Sequence, residues 1–253
     1  FILFLTLLSI SISLNFSYNE YNKSKFINSS NFIFSSLYDT KFTVSKYLNL
    51  ELQNQLLLEE NKNLKKILFN SETPTKSFDS INSIGFEVMT ASVIKNSYSK
   101  TNNFITINKG SKHGIGIDNG VISSNGVVGI IDKTTTNYSR LISILNTNFL
   151  LNAKFKNSNY FGVLSWNGKN INKVQLKDVP KQAKIKIGDT IVTGGNSLIF
   201  PKGILIGYIQ SFKLDNSENY LELEVNLSTD MTNIENLYLI NNNNATEINL
   251  LNE

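Results

Sequence analysis

The sequence predicts a mainly β protein: two small β-barrel domains, preceded by a coiled-coil helix and an N-terminal transmembrane helix. Three observations predict it. Beyond Phe86, short β-branched runs alternate with Gly, Asn and Pro punctuation, and one such unit occurs twice. Ahead of these runs, leucines recur every seven residues. Ahead of the leucines lies an apolar stretch without a charge.

That first stretch, Phe1–Phe16, reads FILFLTLLSISISLNF. A spanning helix needs about 20 apolar residues. The chain begins at Phe1 rather than Met, so an N-terminal piece is expected to precede it and to lengthen the span. Tyr18 and Tyr21 follow, where aromatic rings favour the headgroup layer. The alternative is the apolar core of a cleaved signal peptide, but no small-x-small cleavage site is evident. Residues 1–16 are therefore read as an anchor.

Residues 17–70 are expected to form a helical, coiled-coil region. Leu50, Leu57 and Leu64 are taken as d positions, which puts Tyr47, Asn54, Asn61 and Leu68 at a. Leu at d with Asn at a is the pattern of a parallel two-stranded coiled coil, in which a buried Asn fixes register. These seven residues are the predicted seam of a homodimer. About three heptads are marginal alone, and tethering in a membrane raises the effective concentration. Lys46–Asn70 would extend roughly 35 Å as a helical spacer. Leu48, Leu52, Leu56 and Leu58 broaden the apolar face, which leaves open a single helix packed on the β region. The helix is expected to end near Phe69, before Pro74, with a linker over 71–85.

Strands are expected at Val88–Lys95, Phe104–Asn108, Arg140–Leu145, Phe149–Phe155 and Tyr160–Trp166, the last ending at the hairpin signal Asn167-Gly168. Val174 and Leu176 alternate with lysines, and Leu221, Leu223, Val225 and Leu227 with Glu222, Glu224 and Asn226. The repeated unit pairs Val121-Ile122-Ser123 and Gly126–Ile131 with Ile191-Val192-Thr193 and Gly203–Ile209. Duplication favours two small barrels over one large one, placed at 86–182 and 183–240 with the freedom to exchange segments. Residues 241–253 are expected to fray. Gly110, Gly114, Gly126, Gly129, Gly188, Gly194, Gly195, Gly203 and Gly207 are read as structural, permitting positive φ or close backbone approach.

Composition excludes several functions. Cysteine is absent, which removes disulfide scaffolds, Cys-zinc sites and Cys nucleophiles. The net charge of +4 is unevenly placed. Eight lysines between Lys154 and Lys186 face only Asp178, and no basic residue follows Lys213. A basic block invites nucleic acid, but no recognition motif accompanies it and Arg140 is the only arginine. A basic surface meeting an acidic one, on the same protomer or the next, is the sharper reading.

Catalysis receives little support. His113 is the only histidine, Asp118 lies five residues away, and Ser197 follows Gly194-Gly195-Asn196. A trypsin-like site needs base, carboxylate and nucleophile together, and Leu198 stands where such a site has Gly. One histidine and scattered carboxylates give no metal-ligand spacing. No catalytic, cofactor or metal residue is assigned, and the protein is read as a binding protein.

The ordered set Asn108-Lys109-Gly110-Ser111-Lys112-His113-Gly114-Ile115, Val121–Ile131, Gly188-Asp189, Thr193-Gly194-Gly195 and Phe200-Pro201-Lys202-Gly203-Ile204 resembles the rod shape-determining MreC family. The resemblance implies two compact β-barrels after a coiled coil, on the extracytoplasmic side of the cytoplasmic membrane. It implies a scaffold of cell-wall elongation, with MreD, MreB, RodA and its class B penicillin-binding transpeptidase as partners. A periplasmic adaptor of an efflux or secretion system is the alternative. It would need a second helical run after Phe86.

Overall fold

The computed structural model describes residues 1–18, 50–71, 85–195, 197–215 and 218–250. They fall into two units, Phe1–Leu57 and Leu58–Glu253. In the first, α1 (Ile2–Tyr18) is a helix without a charged residue, and its large apolar side chains through Ile10 are exposed. Among the described residues no helix is long and apolar enough to cross a membrane. The predicted seam residue Tyr47, with the rest of 19–49 and the linker 72–84, lies outside the described residues. A second helix, α2, covers 50–71.

The second unit carries twelve strands among its described residues. In chain order these are β1 (Phe86–Asn96), β2 (Phe104–Ile107), β3 (Gly120–Ile122), β4 (Val127–Thr134), β5 (Ser139–Ser143), β6 (Leu151–Phe155), β7 (Phe161–Ser165), β8 (Lys173–Pro180), β9 (Thr190–Thr193), β10 (Leu205–Leu214), β11 (Tyr220–Leu227) and β12 (Asn236–Asn242). A single 3-10 turn, Ser111–His113, and a short α3, Ala245–Asn249, complete it. The strands close two barrels, β1-β12-β3-β4-β5-β2 and β10-β11-β8-β7-β6-β9. Every pairing is antiparallel. Closure leaves neither sheet an unpaired edge.

Alternation explains the individual strands. Leu221, Leu223 and Val225 on β11 are buried, while Glu222 and Glu224 between them are not. In β12, Leu237, Tyr238, Leu239 and Ile240 are all buried in succession, because that strand is covered on both faces. One contiguous apolar cluster runs from Val88 and Ile105 in the first barrel to Leu176 and Val225 in the second.

The boundary expected at 183 needs correction. β9, β10 and β11 lie beyond it, yet close the same barrel as β6, β7 and β8. The chain then returns, and β12 inserts between β1 and β3 of the first barrel. Alternation fixes which face of a strand is apolar, but not which remote strand it joins. The tail expected to fray from 241 also needs correction. Asn241 and Asn242 belong to β12, and α3 follows. Asn242 Nδ2 donates to the Leu198 carbonyl at 3.0 Å, so this end is tied to the second barrel's loop.

Candidate interaction surface

The part of α2 within the second unit offers two faces. Leu58, Lys62, Lys65 and Phe69 are half-buried, and Leu58 and Phe69 pack against the apolar cluster. Lys65 places its ammonium 5.2 Å from the centre of the Tyr238 ring. Burial holds the Lys65 pKa down and pushes the Tyr238 phenol up. At the helix end, the Phe86 N–H donates to Asn70 Oδ1 at 2.8 Å. Asn70 Nδ2 donates to the carbonyls of Lys66 and Phe86. One amide therefore caps the helix and joins it to β1, two residues beyond the expected end.

The packed residues lie about 90° around the helix from the predicted seam, at 100° per residue. The seam leucines are exposed: Leu50, Leu57, Leu64 and Leu68 at 44%, 53%, 56% and 59%. Asn54 and Asn61 are exposed as well. The packing expected of a single helix thus occurs through Leu58 and Phe69, and the described residues of the predicted seam are not part of that packed face.

Beside the packed face lies a groove of about 480 Å³, walled by Lys65, Leu68, Phe69, Ser123, Leu205 and Tyr208 among others. Its floor is where the repeated units meet. After β3, the Ser123 N–H donates to the Gly126 carbonyl at 2.8 Å, and the Ser123 hydroxyl accepts from the Gly126 N–H. After β9, the Thr193 N–H donates to the Ile204 carbonyl at 2.9 Å, and the Thr193 hydroxyl accepts from the Ile204 N–H. A hydroxyl closes each turn in the same way, which is the structural content of the sequence repeat. At Gly126, with φ +156°, a Cβ would meet the Leu205 carbonyl oxygen at 2.5 Å, so the two turns abut only because a glycine stands there.

The other predicted glycines divide by cause. Gly114, Gly188, Gly195 and Gly203 have positive φ. A Cβ on Gly110, Gly129 or Gly207 would lie 2.2, 2.1 or 1.9 Å from a neighbouring backbone oxygen, and on Gly194 3.1 Å from the Phe161 ring.

Charges are matched across the second barrel. Lys173 reaches Glu224 at 3.3 Å, and Lys177 and Lys213 reach Glu222 at 3.7 and 3.2 Å. The lysines of β8 thus meet the acidic face of β11 on the same protomer, as neighbouring strands. Arg140 forks onto the Asp132 carboxylate and lies 4.2 Å over the Phe104 ring. Its hydrogen bond to Asp132 raises its pKa further.

His113, Asp118 and Ser197 are each used by their own loop. Nδ1 of His113 accepts from the Gly110 N–H at 3.1 Å. Asp118 has φ +66° and its N–H donates to the Ile131 carbonyl. The Ser197 hydroxyl accepts from the Ile199 N–H at 3.0 Å. Among the described residues no hydrogen bond joins these side chains, and no three His, Asp or Glu residues are grouped to hold a metal. Sequence reasoning missed Lys65 on Tyr238 and Phe200 against Gly120. The only signal for the second was an aromatic in a Gly/Pro-rich loop.

Comparison with known proteins agrees with this architecture. The family model "Rod shape-determining protein MreC, barrel core" matches residues 93–241. The cell shape-determining protein MreC of Listeria monocytogenes serovar 1/2a is 30% identical over 179 residues, 69% of this chain and 57% of the relative. The chain spans about half the length of the curated relatives it matches. A solved MreC structure from Listeria monocytogenes superposes with a TM-score of 0.59 at 25% identity, covering 79% of this chain and 92% of that one. A complex between penicillin-binding protein PBP2 and MreC from Helicobacter pylori matches in fold, with a TM-score of 0.52 at 16% identity, 63% of this chain and 99% of that one.

Proposed function

The chain belongs to the MreC family of rod shape-determining proteins, and from that premise we propose that it is a membrane-anchored, non-catalytic scaffold of the cell-wall elongation machinery that maintains cell shape. The observation that carries this reading is the extent of the family match. Residues 93–241 run from within β1 to within β12 and take in both barrels.

The parts have separate tasks. The uncharged stretch of α1 holds the chain at the cytoplasmic membrane, with its bulk on the extracytoplasmic side. The outward leucines of α2 pair two copies as a parallel coiled coil. The barrels present surface, and the class B penicillin-binding transpeptidase is the partner best supported, because the Helicobacter pylori relative is found in complex with PBP2. MreD, MreB and RodA are proposed on the family resemblance. Nucleic acid is not a proposed partner: the only arginine is committed to Asp132 and Phe104.

The adaptor alternative loses its footing. It required a second long helix after Phe86, and the described residues there form strands, one 3-10 turn and the five-residue α3. Crosslinking in native membranes, followed by identification of the captured proteins, tests the scaffold. Recovery of a cell-wall transpeptidase is expected; recovery of an outer-membrane channel in its place would overturn the reading.

A further inference from the structure

Strand register brings three connections of the second barrel to one end. Phe155 at the close of β6 pairs with Ile191 near the start of β9, and Tyr208 of β10 pairs with Thr190. Tyr220 at the start of β11 pairs with Pro180 at the close of β8. The β6–β7, β8–β9 and β10–β11 connections therefore lie side by side. The chain enters this barrel at Leu151 and leaves it at Leu227. Both points are at the opposite end, where the β9–β10 turn abuts Gly126 of the first barrel. The three-connection end carries large apolar side chains in the open. Ile187 and Leu214 are 69% and 51% exposed, and Tyr160, Phe161, Phe212 and Tyr220 are exposed as well. Lys156, Lys181, Lys184 and Lys186 stand among them, all exposed. The carboxylates of residues 156–160, 181–189 and 215–219 are Asp189, Asp215 and Glu218. Asp189 accepts the Lys186 N–H at 2.8 Å, and Asp215 accepts the N–H groups of Asn219 and Tyr220, so both serve their own turns.

We propose that this end of the second barrel docks on a bilayer surface, with a preference for anionic lipid. Exposed rings and branched chains gathered at one place mark a binding face. Here they stand on three separate tips rather than along one strand. That arrangement suits the headgroup layer, a surface that yields around single side chains. Tyrosine rings favour that layer, and Ile187, Phe212 and Leu214 supply apolar atoms that pass below it. The lysines lay their stems on apolar surface and carry their ammonium groups to lipid phosphates. The first barrel is joined at the far end, so it leaves these tips in the open. The proposal rests on the anchored reading of the chain, which keeps a bilayer within reach.

The test uses the full chain, reconstituted into vesicles of phosphatidylcholine with and without phosphatidylglycerol. The chain has no cysteine, so Ile187→Cys takes a single nitrobenzoxadiazole label. Lys169→Cys, exposed on the β7–β8 turn at the opposite end, is the control. Doxyl-labelled lipid is expected to quench the label at 187 and spare the label at 169. Quenching is expected to be stronger with phosphatidylglycerol and to weaken with salt. Lys184→Gln/Lys186→Gln should remove the phosphatidylglycerol advantage. Phe212→Ser/Leu214→Ser should abolish quenching at 187, with circular dichroism reporting the fold; the label and lysine comparisons decide the matter without it. Equal quenching at 169 and 187, or none at either, overturns the proposal. So does a blue shift at 187 without quenching, which would mean that protein covers this end. Quenching at 187 that ignores phosphatidylglycerol and salt overturns the anionic preference. Flotation with the vesicles reports anchoring separately. A chain that does not float removes the anchored reading and this proposal with it, whereas a floating chain with an unquenched label removes this proposal alone.

Discussion

The hydroxyls of Ser123 and Thr229 meet at 2.9 Å, although 106 residues separate them. Ser123 directly follows the hairpin strand β3, and Thr229 lies on the return from β11 to β12. Both are buried. The Ser228 hydroxyl beside them donates to the Asn125 carbonyl at 2.8 Å and its N–H to the Ile206 carbonyl at 3.0 Å, so one residue joins the first repeated turn to β10. Asn96 Nδ2 donates to the carbonyl of Met231, which is itself buried. The return segment is thereby fastened to both barrels where their duplicated turns abut.

Ser123→Ala leaves the buried Thr229 hydroxyl without this partner and also removes the acceptor for the Asn125 and Gly126 N–H groups. A loss of about 1–3 kcal/mol is expected in denaturant unfolding. Ser123→Ala combined with Thr229→Val should cost less than the two single changes together, with a coupling of about 0.5–3 kcal/mol. Strict additivity would show that the hydroxyl pair does not join the barrels.

Gly120→Ala tests the contact between barrels from the apolar side. Phe200 is fully buried, and a Cβ at Gly120 would lie 2.7 Å from its ring and 2.9 Å from the Ile199 carbonyl oxygen. Overpacking of this kind costs about 1–3 kcal/mol. A lowered unfolding midpoint is expected, with the ring currents of Phe200 displaced in the NMR spectrum. An unchanged midpoint would mean that the loop gives way freely.

Much of this architecture is legible in the residues, for physical reasons that also mark the limit. The alternation of Leu221, Leu223 and Val225 with Glu222 and Glu224 names a strand and its wet face. It does not say that β8 is the neighbour, so the lysines of β8 read as an unmatched block until Lys173 and Lys177 are seen against Glu224 and Glu222. Likewise Leu237–Ile240 is a continuous apolar run without alternation and is not among the expected strands, and its place between β1 and β3 depends on a return of the chain that no local pattern encodes. The heptad leucines announce a seam. The second face, Leu58 to Phe69, is formed by the same run and differs by only a quarter turn, so spacing alone could not separate them. Phe200 is the clearest loss: a buried aromatic inside a turn-rich loop carries no periodicity at all.

Asp230 gives the pH prediction. The Thr232 hydroxyl and backbone N–H both donate to its carboxylate, at 2.7 and 2.9 Å. These bonds, the hydroxyl first, hold its pKa below the ordinary value of the side chain. A depressed folded pKa means the unfolded chain takes the proton first. The contribution to stability is therefore complete above the ordinary carboxylate pKa and is lost as pH falls through the folded one. Carbon-detected NMR titration should place the Asp230 midpoint below the ordinary value. Thr232→Val, which keeps the N–H bond and removes the hydroxyl, should move that midpoint upward. No movement would assign the shift to another cause.

The absence of cysteine makes the paired-helix proposal directly testable. Leu57→Cys introduces a thiol at a d position, and Glu59→Cys one at an f position of the same turn. In a parallel two-stranded coil, d positions of the two copies face each other and f positions point away. Oxidation should then join Leu57→Cys into a covalent dimer and leave Glu59→Cys as single chains. Leu64→Glu should shift the chain toward monomer in sedimentation while leaving the unfolding midpoint of the barrels in place, because Leu64 is exposed within one copy. Phe69→Ala has the opposite signature. That ring packs on the apolar cluster, so stability should fall while the Leu57→Cys crosslink survives. Equal crosslinking at Leu57 and Glu59 would remove the outward face of α2 as a seam, and the exposed leucines would then need a different partner.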